Sequence, residues 1–246
     1  MNMTMKRGIV AAGSALGMVL CLAASASAQT SAGMMSVTAV GNWAPNIGGT
    51  MHLGGSGSVL GLPVLVDEKK WTDTHKRDGL LGAAGVGVGL NDMVEAVGNV
   101  EFGRTKAEQL QVGTVATLPL FAQFDESKYW GLNGGARVFF GSGRVSPYMT
   151  ATVGFRRLSA LGGTFTVPAA SVTLPQPFFE QSTVPTVGAD FGVLFGQARA
   201  RFGVQAGVRW AGSPNGAAAS FAGSGLENLN DEGSNLSMPV GVVVRF

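Results

Sequence analysis

The sequence predicts an all-β fold, an eight-stranded antiparallel transmembrane β-barrel with short turns at one rim and long loops at the other. Three observations lead there. The 246-residue chain is 46% hydrophobic and only 13% charged, and its 38 glycines follow no G-X-Y period, so neither disorder nor a collagen-like chain fits. Beyond residue 28 no run approaches the roughly 18 uninterrupted apolar residues of a membrane helix. The apolar residues instead alternate with period two, in segments of about ten residues separated by turns.

The first 28 residues stand apart. Lys6 and Arg7 form a basic start, residues 8–22 an apolar run, and Ala26-Ser27-Ala28 a small-residue cleavage motif, which together read as a secretory signal peptide. The expected division is 1–28 signal peptide and 29–246 one exported domain. Cys21 lies in the signal, preceded by Val19 and Leu20 rather than the small residue that lipidation needs. The mature chain therefore has no cysteine for disulfides, thiolate metal sites or nucleophiles. Removing Lys6 and Arg7 from the 17 basic residues leaves 15 against 15 acidic, and such a neutral chain without a basic run offers no electrostatic footprint for nucleic acid.

The strands follow in chain order. Residues 35–44 alternate Val37, Ala39, Gly41 and Trp43 with Ser36, Thr38, Val40 and Asn42. Residues 80–90 set Leu80, Val86, Val88 and Leu90 against Gly85, Gly87 and Gly89. After an Asn91-Asp92 turn, Val94, Ala96, Val100 and Phe102 oppose Glu95, Val97, Asn99 and Glu101, which makes a hairpin. Residues 129–140 place Trp130, Leu132, Val138 and Phe140 opposite Asn133, Arg137 and Phe139. Past a turn at 141–144, Met149, Val153 and Phe155 oppose Thr150, Thr152 and Arg156. A third pair covers 186–195, with Asp190 on the polar face, and 201–210, with Arg201, Gln205 and Arg209 on that face. The last segment sets Met238, Val240, Val242, Val244 and Phe246 against Gly241, Val243 and Arg245.

A rival register takes 114–124 as a barrel strand and omits 35–44. An internal repeat decides against it. Gly57-Ser58-Val59, Gly113-Thr114-Val115 and Gly163-Thr164-Phe165 each open an apolar, proline-bearing stretch (Pro63; Pro119; Pro168, Pro175 and Pro177) that ends in acidic or polar residues before a strand. Equivalent positions for the three copies make 114–124 loop, and connections then alternate long and short. The loop segments 59–66, 115–124 and 165–179 are expected to pack together as an apolar cap over the barrel mouth, their prolines limiting edge pairing between copies. The glycine- and asparagine-rich loop 212–236 is expected to be readily cut by protease, in contrast to the cap.

Phased this way, Trp43, Trp130, Trp210, Phe102 and Phe155 fall on the apolar face near the long loops, and Phe140, Phe195, Phe202 and Phe246 near the short turns. Two aromatic girdles are expected of a membrane barrel, whereas a secreted soluble β-sandwich, the competing fold, has no reason to sort rings by strand end. The other face carries Glu95, Glu101 and Asp190 with Arg137, Arg156, Arg201, Arg209 and Arg245. In a lumen wide enough only for side chains these are expected to form a plugging ion network, with glycines 85, 87, 89, 135, 203 and 207 making room for the arginines.

The signal peptide, the eight-strand spacing and the ending Val240-x-Val242-x-Val244-x-Phe246 resemble the small outer-membrane β-barrel proteins of Gram-negative bacteria, the OmpA-, OmpX- and OmpW-like barrels, over roughly residues 35–246. The resemblance implies an outer-membrane protein in contact with membrane lipids and lipopolysaccharide. It also implies that Val240, Val242, Val244 and Phe246 are read by the barrel assembly machinery. No peptidoglycan-binding domain of the OmpA type is expected to accompany the barrel. An envelope-structural or surface-interaction role through the loops is expected, with a narrow OmpW-like channel or binding protein for small apolar solutes as the alternative.

No cofactor, metal or catalytic residue is expected. His52 and His75 lie near Ser56, Ser58, Asp67 and Asp73 with no spacing that fixes a triad, so they read as solvated loop histidines. Glu227, Asn230, Asp231 and Glu232 lack the regular spacing of a calcium loop and read as a solvated acidic loop. Lys69, Lys70, His75, Lys76 and Arg77 form a dense basic cluster that reads as an ordinary solvated loop, with contact to lipopolysaccharide phosphates as the alternative. An apolar ligand in a groove of the cap is the alternative to purely structural packing.

Overall fold

The structure is a computed structural model that describes residues 33–42, 46–75, 79–141, 143–197, 200–217 and 220–246. The expected signal peptide (1–28), Trp43, Lys76 and Arg77 lie outside the described residues.

Eight strands form one barrel: β1 (Met35–Asn42), β2 (Gly79–Gly89), β3 (Val94–Thr105), β4 (Ser127–Phe139), β5 (Val145–Leu158), β6 (Ser182–Gln197), β7 (Ala200–Ala211) and β8 (Val240–Arg245). Each pairs antiparallel with its sequence neighbours, and β8 pairs with both β7 and β1, so the sheet closes without an edge. Closure matters because hydrocarbon offers no partner for an open backbone N–H or C=O. The alternation read in the sequence becomes an inside-out polarity. Val86, Val100, Leu132, Val153, Val187 and Val204 stand exposed on the outer wall, while Glu95, Glu101, Arg137, Arg156 and Arg209 are buried inside. A soluble sandwich would reverse this pattern.

Glycine marks the places where lumen side chains press on the wall. A Cβ at Gly103 would collide with the Tyr129 ring, and one at Gly87 with the Glu95 carboxylate. Gly85, Gly135 and Gly203 instead clear neighbouring backbone carbonyls, so close strand approach, rather than room for arginines, accounts for them.

The long loops carry a second sheet. Hairpins Gly55–Val59/Leu62–Val66, Leu110–Val115/Leu118–Phe124 and Leu161–Val167/Val172–Phe179 stand side by side as six antiparallel strands. Residues 114–124 are therefore outside the barrel but largely strand, not loop. Period-two alternation again explains the pairing: Val64, Val66, Leu120, Ala122 and Phe124 are buried on one face, while Pro63, Leu65, Pro119 and Gln123 are exposed on the other. The prolines do not prevent pairing between copies. The hairpins join at Val64↔Val115 through Val66↔Gly113 and at Phe121↔Thr166 through Phe124↔Gly163. Pro63 and Pro119 lie just outside these ladders, and Pro175 and Pro177 sit on an edge strand, where a missing N–H is tolerated.

Both edges of this sheet are covered by the fourth long loop. Ser58 N donates to Ser224 O (2.7 Å) at one edge, and Ala217 N to Phe178 O (3.0 Å) and Glu180 N to Asn215 O (2.9 Å) at the other. Leu226 and Leu229 are buried in the core beneath the sheet with Met51, Trp71, Val112, Phe124, Phe178 and Phe179. The described part of loop 212–236, expected to be readily cut, is the strap that closes the cap.

Candidate functional site

The lumen is filled in layers. At the short-turn end Phe139, Tyr148, Leu194 and Val243, each at most 1% exposed, form an apolar stopper. The Arg245 guanidinium lies 4.4 Å from the Phe139 ring centre, and Arg201 Nη1 donates to Ser146 Oγ (2.8 Å). Above the stopper Arg137 joins four strands. It donates to Glu95 Oε2 (2.9 Å), Ser36 Oγ (3.1 Å), Thr38 Oγ1 (3.1 Å) and Thr150 Oγ1 (3.2 Å). The next layer is neutral: Thr186 Oγ1 donates to Asn133 Oδ1 (2.6 Å), whose amide group donates to Asn99 Oδ1 (3.2 Å).

Toward the long loops Glu101, fully buried, accepts from Arg156 Nε (3.0 Å) and Arg209 Nη1 (2.5 Å), and Arg156 stacks 3.8 Å from the Tyr129 ring centre. The structure thus places Glu95 with Arg137 and Glu101 with two arginines. Asp190 is only within 4.0 Å of Arg209, and its Oδ1 has no hydrogen-bond partner. A cavity of about 20 Å³ bordered by Thr38, Thr150, Thr152, Asp190, Gln205 and Arg209 holds about one water, not a solute column.

Along the outer wall Trp130 (47%), Trp210 (42%), Phe140 (61%), Phe195 (47%) and Phe202 (45%) are exposed at the two rims. Phe246 and Val244 are 7% exposed and pack against Val37 and Ala39, so Phe246 is a covered ring rather than part of the girdle. Val240 is exposed and Val242 half-buried.

The cap corrects the reading of both histidines. His52 and His75 are 1% and 3% exposed, enclosed by aromatic rings instead of water. His52 stands 5.9 and 5.8 Å from the Phe124 and Phe178 rings, and His75 stands 5.1 Å from Trp71. The His75 Nε2–H donates to Asp125 O (3.3 Å), which leaves Nδ1 to accept from Thr74 Oγ1 (2.9 Å). His52 Nδ1 contacts Leu53 O (3.1 Å) while Nε2 has no partner. Neither ring meets a serine hydroxyl or a carboxylate among these contacts.

Burial pushes His75 down to about 4 against the opposing pull of the Asp125 carbonyl, and it lowers His52 as well. Because the folded value of His75 lies below the unfolded 6.5, its contribution is complete above that pH and is lost as pH falls from 6.5 through about 4. The loss is on the order of 3 kcal/mol for His75. Protease sensitivity of the cap is expected to rise as pH falls through that window in the wild type and to rise less in His75→Phe, where only His52 remains.

Two other loop readings change. Asn230 is buried and donates to Phe178 O (2.6 Å), so the segment around it is not wholly solvated. Among the described residues the basic cluster does not stay together: His75 enters the core, Lys69 lies 3.6 Å from Asp67, and Lys70 is exposed. The sequence reading missed a different cationic group, Arg104, Lys128 and Arg157 on β3, β4 and β5. These residues are far apart in the chain and only strand register brings them together.

No protein-family model matches the chain, and no curated protein matches it in sequence. Among solved structures, Ail, the attachment invasion locus protein of Yersinia pestis, is similar over 87% of this chain and 99% of its own at 13% identity and a TM-score of 0.43. Neisserial surface protein A covers 87% and 96% at 13% identity with a TM-score of 0.38. The N-terminal barrel of Pseudomonas aeruginosa OprF covers 87% and 98% at 14% identity with a TM-score of 0.35. By its eight strands, its closure and its apolar-out, polar-in wall, the chain has the architecture of the small outer-membrane β-barrels.

Proposed function

We propose that the protein is an outer-membrane barrel whose role is surface display: the barrel anchors, and the strapped six-stranded cap presents its hairpin tips outside the cell. The observation that carries this reading is the cap itself, with its own aromatic core and both sheet edges covered. Mobile loops would need neither. The tips are apolar. Leu60 is 95% exposed at φ +54°, a backbone conformation that costs a leucine about 1 kcal/mol and that asparagine or glycine adopts more readily. Leu62 (51%) in the same hairpin, Leu118 (37%) in the second and Val172 (48%) and Leu174 (43%) in the third are also exposed.

A channel for small solutes is disfavoured by the stopper and by the filled lumen. In planar bilayers the protein is expected to give no steady ionic current, and a sustained conductance would overturn the closed-lumen reading. Cells displaying the protein are expected to retain apolar polystyrene beads. Leu60→Asn, Leu62→Ser and Leu118→Ser together should abolish retention without exposing the cap to protease. Undiminished retention would remove the tips from the contact surface.

A further inference from the structure

Of the charged residues in the eight barrel strands, all but three face the lumen. The three that face outward are all cations, Arg104, Lys128 and Arg157, on adjacent strands at the long-loop rim. Register places them together: Lys128 is opposite Arg104, and Arg157 is opposite Trp130, which is itself opposite Phe102. The same outward column on β4 runs Lys128, Trp130, Leu132. Arg104 and Lys128 therefore stand one pleat period, about 7 Å, farther along their strands than exposed Phe102 and Trp130, while Arg157 is level with those rings, and Trp130 makes an edge contact with Phe155 at 5.8 Å. Hydrocarbon ends and headgroup phosphates begin at that height.

The charges there do not balance. Arg104 and Lys128, like charges directly opposite one another, share the single carboxylate of Glu126, Lys128 at 3.2 Å. Arg157 donates to the neutral Gln181 Oε1 at 3.2 Å. Three positive charges thus meet one negative one. The side chains of Arg104 and Lys128 remain 59% and 60% exposed, open to a further anion.

We propose that Arg104, Lys128 and Arg157 dock the phosphate-bearing headgroup of a lipid of the outer leaflet, whose chains lie on Phe102, Trp130 and Phe155. The proposal rests on the reading that the barrel spans the membrane with the cap outside. Headgroup phosphate, rather than free phosphate, is the ligand because the cations are continuous with an apolar wall that only a lipid would cover.

The test reconstitutes the full-length barrel in phosphatidylcholine vesicles and measures the association of spin-labelled phosphatidic acid relative to spin-labelled phosphatidylcholine. The wild type is expected to prefer phosphatidic acid about five- to tenfold, from two surplus charges near the surface. Arg104→Gln, Lys128→Gln and Arg157→Gln combined are expected to bring that ratio to about one. Lys69→Gln with Lys70→Gln, which removes cations elsewhere, is expected to leave it unchanged. Heat-modifiable gel mobility confirms insertion for each variant. An inserted wild type without preference, an inserted triple variant that keeps it, or displacement of the lipid by 10 mM inorganic phosphate (a site for the free ion) would overturn the proposal alone. A wild type that does not insert would overturn the membrane reading and the proposal with it.

Discussion

Glu101→Ala is expected to destabilise the barrel by about 3–5 kcal/mol, because it leaves Arg156 and Arg209 buried without their shared carboxylate. Glu101 has no exposed surface and both guanidinium groups are within 3.0 Å of it, so no water replaces the lost oxygens. Adding Arg156→Met is expected to recover part of the loss, since the pair disappears together. Urea titration in lipid vesicles, read by heat-modifiable mobility, measures both. Strict additivity of the two substitutions would show that these charges do not interact. Asp190→Asn, by contrast, is expected to be near neutral: its Oδ1 has no hydrogen-bond partner and its nearest cation, Arg209 at 4.0 Å, is already held by Glu101.

The second large effect belongs to the cap. Phe178 is fully buried, with ring centres 5.1 Å from Phe124, 4.9 Å from Phe179 and 5.9 Å from Phe221. Phe178→Ala is expected to cost the cap about 3–5 kcal/mol through lost burial and the cavity left behind. Because the cap core and the lumen layers are separate clusters, the barrel is expected to keep its heat-modifiable mobility while protease on intact cells cuts the hairpin at 161–179. Simultaneous loss of barrel mobility would show that the two halves fold as one unit and would overturn this separation.

Most of the barrel was legible in the sequence because a membrane wall imposes a period of two on each strand, and a slip of one residue would turn Glu95, Glu101 and Asp190 into the lipid. The weakest segment, 35–44, has few large residues, yet the internal repeat located it by assigning 114–124 elsewhere. The same repeat foretold apolar packing of the three loops. It did not foretell their ladders, because whether Val64 pairs with Val115 depends on how the barrel spaces the hairpins. Prolines suggested separation when read alone, but in the sheet they fall at ladder ends and on an edge, where they cost little.

His52 and His75 show the limit from the other side. Their neighbours in sequence are polar, so solvation was the natural reading, yet Phe124 and Phe178 enclose them from the second and third hairpins. The strap behaves likewise. Nothing in a stretch rich in glycine and asparagine announces that it will cover both edges of a sheet made from other loops.

The sequence by itself determined the strand number, the face each strand turns to lipid, the identity of the lumen charges and the repeat in the loops, because all of these are set by local alternation and spacing. The tertiary structure alone decided who meets whom: the two arginines on Glu101, the covered edges of the cap, the buried histidines, and the outward row of Arg104, Lys128 and Arg157. Those depend on register between strands distant in the chain, and register is fixed by closure of the barrel and by packing of the loop cores, which no single segment encodes.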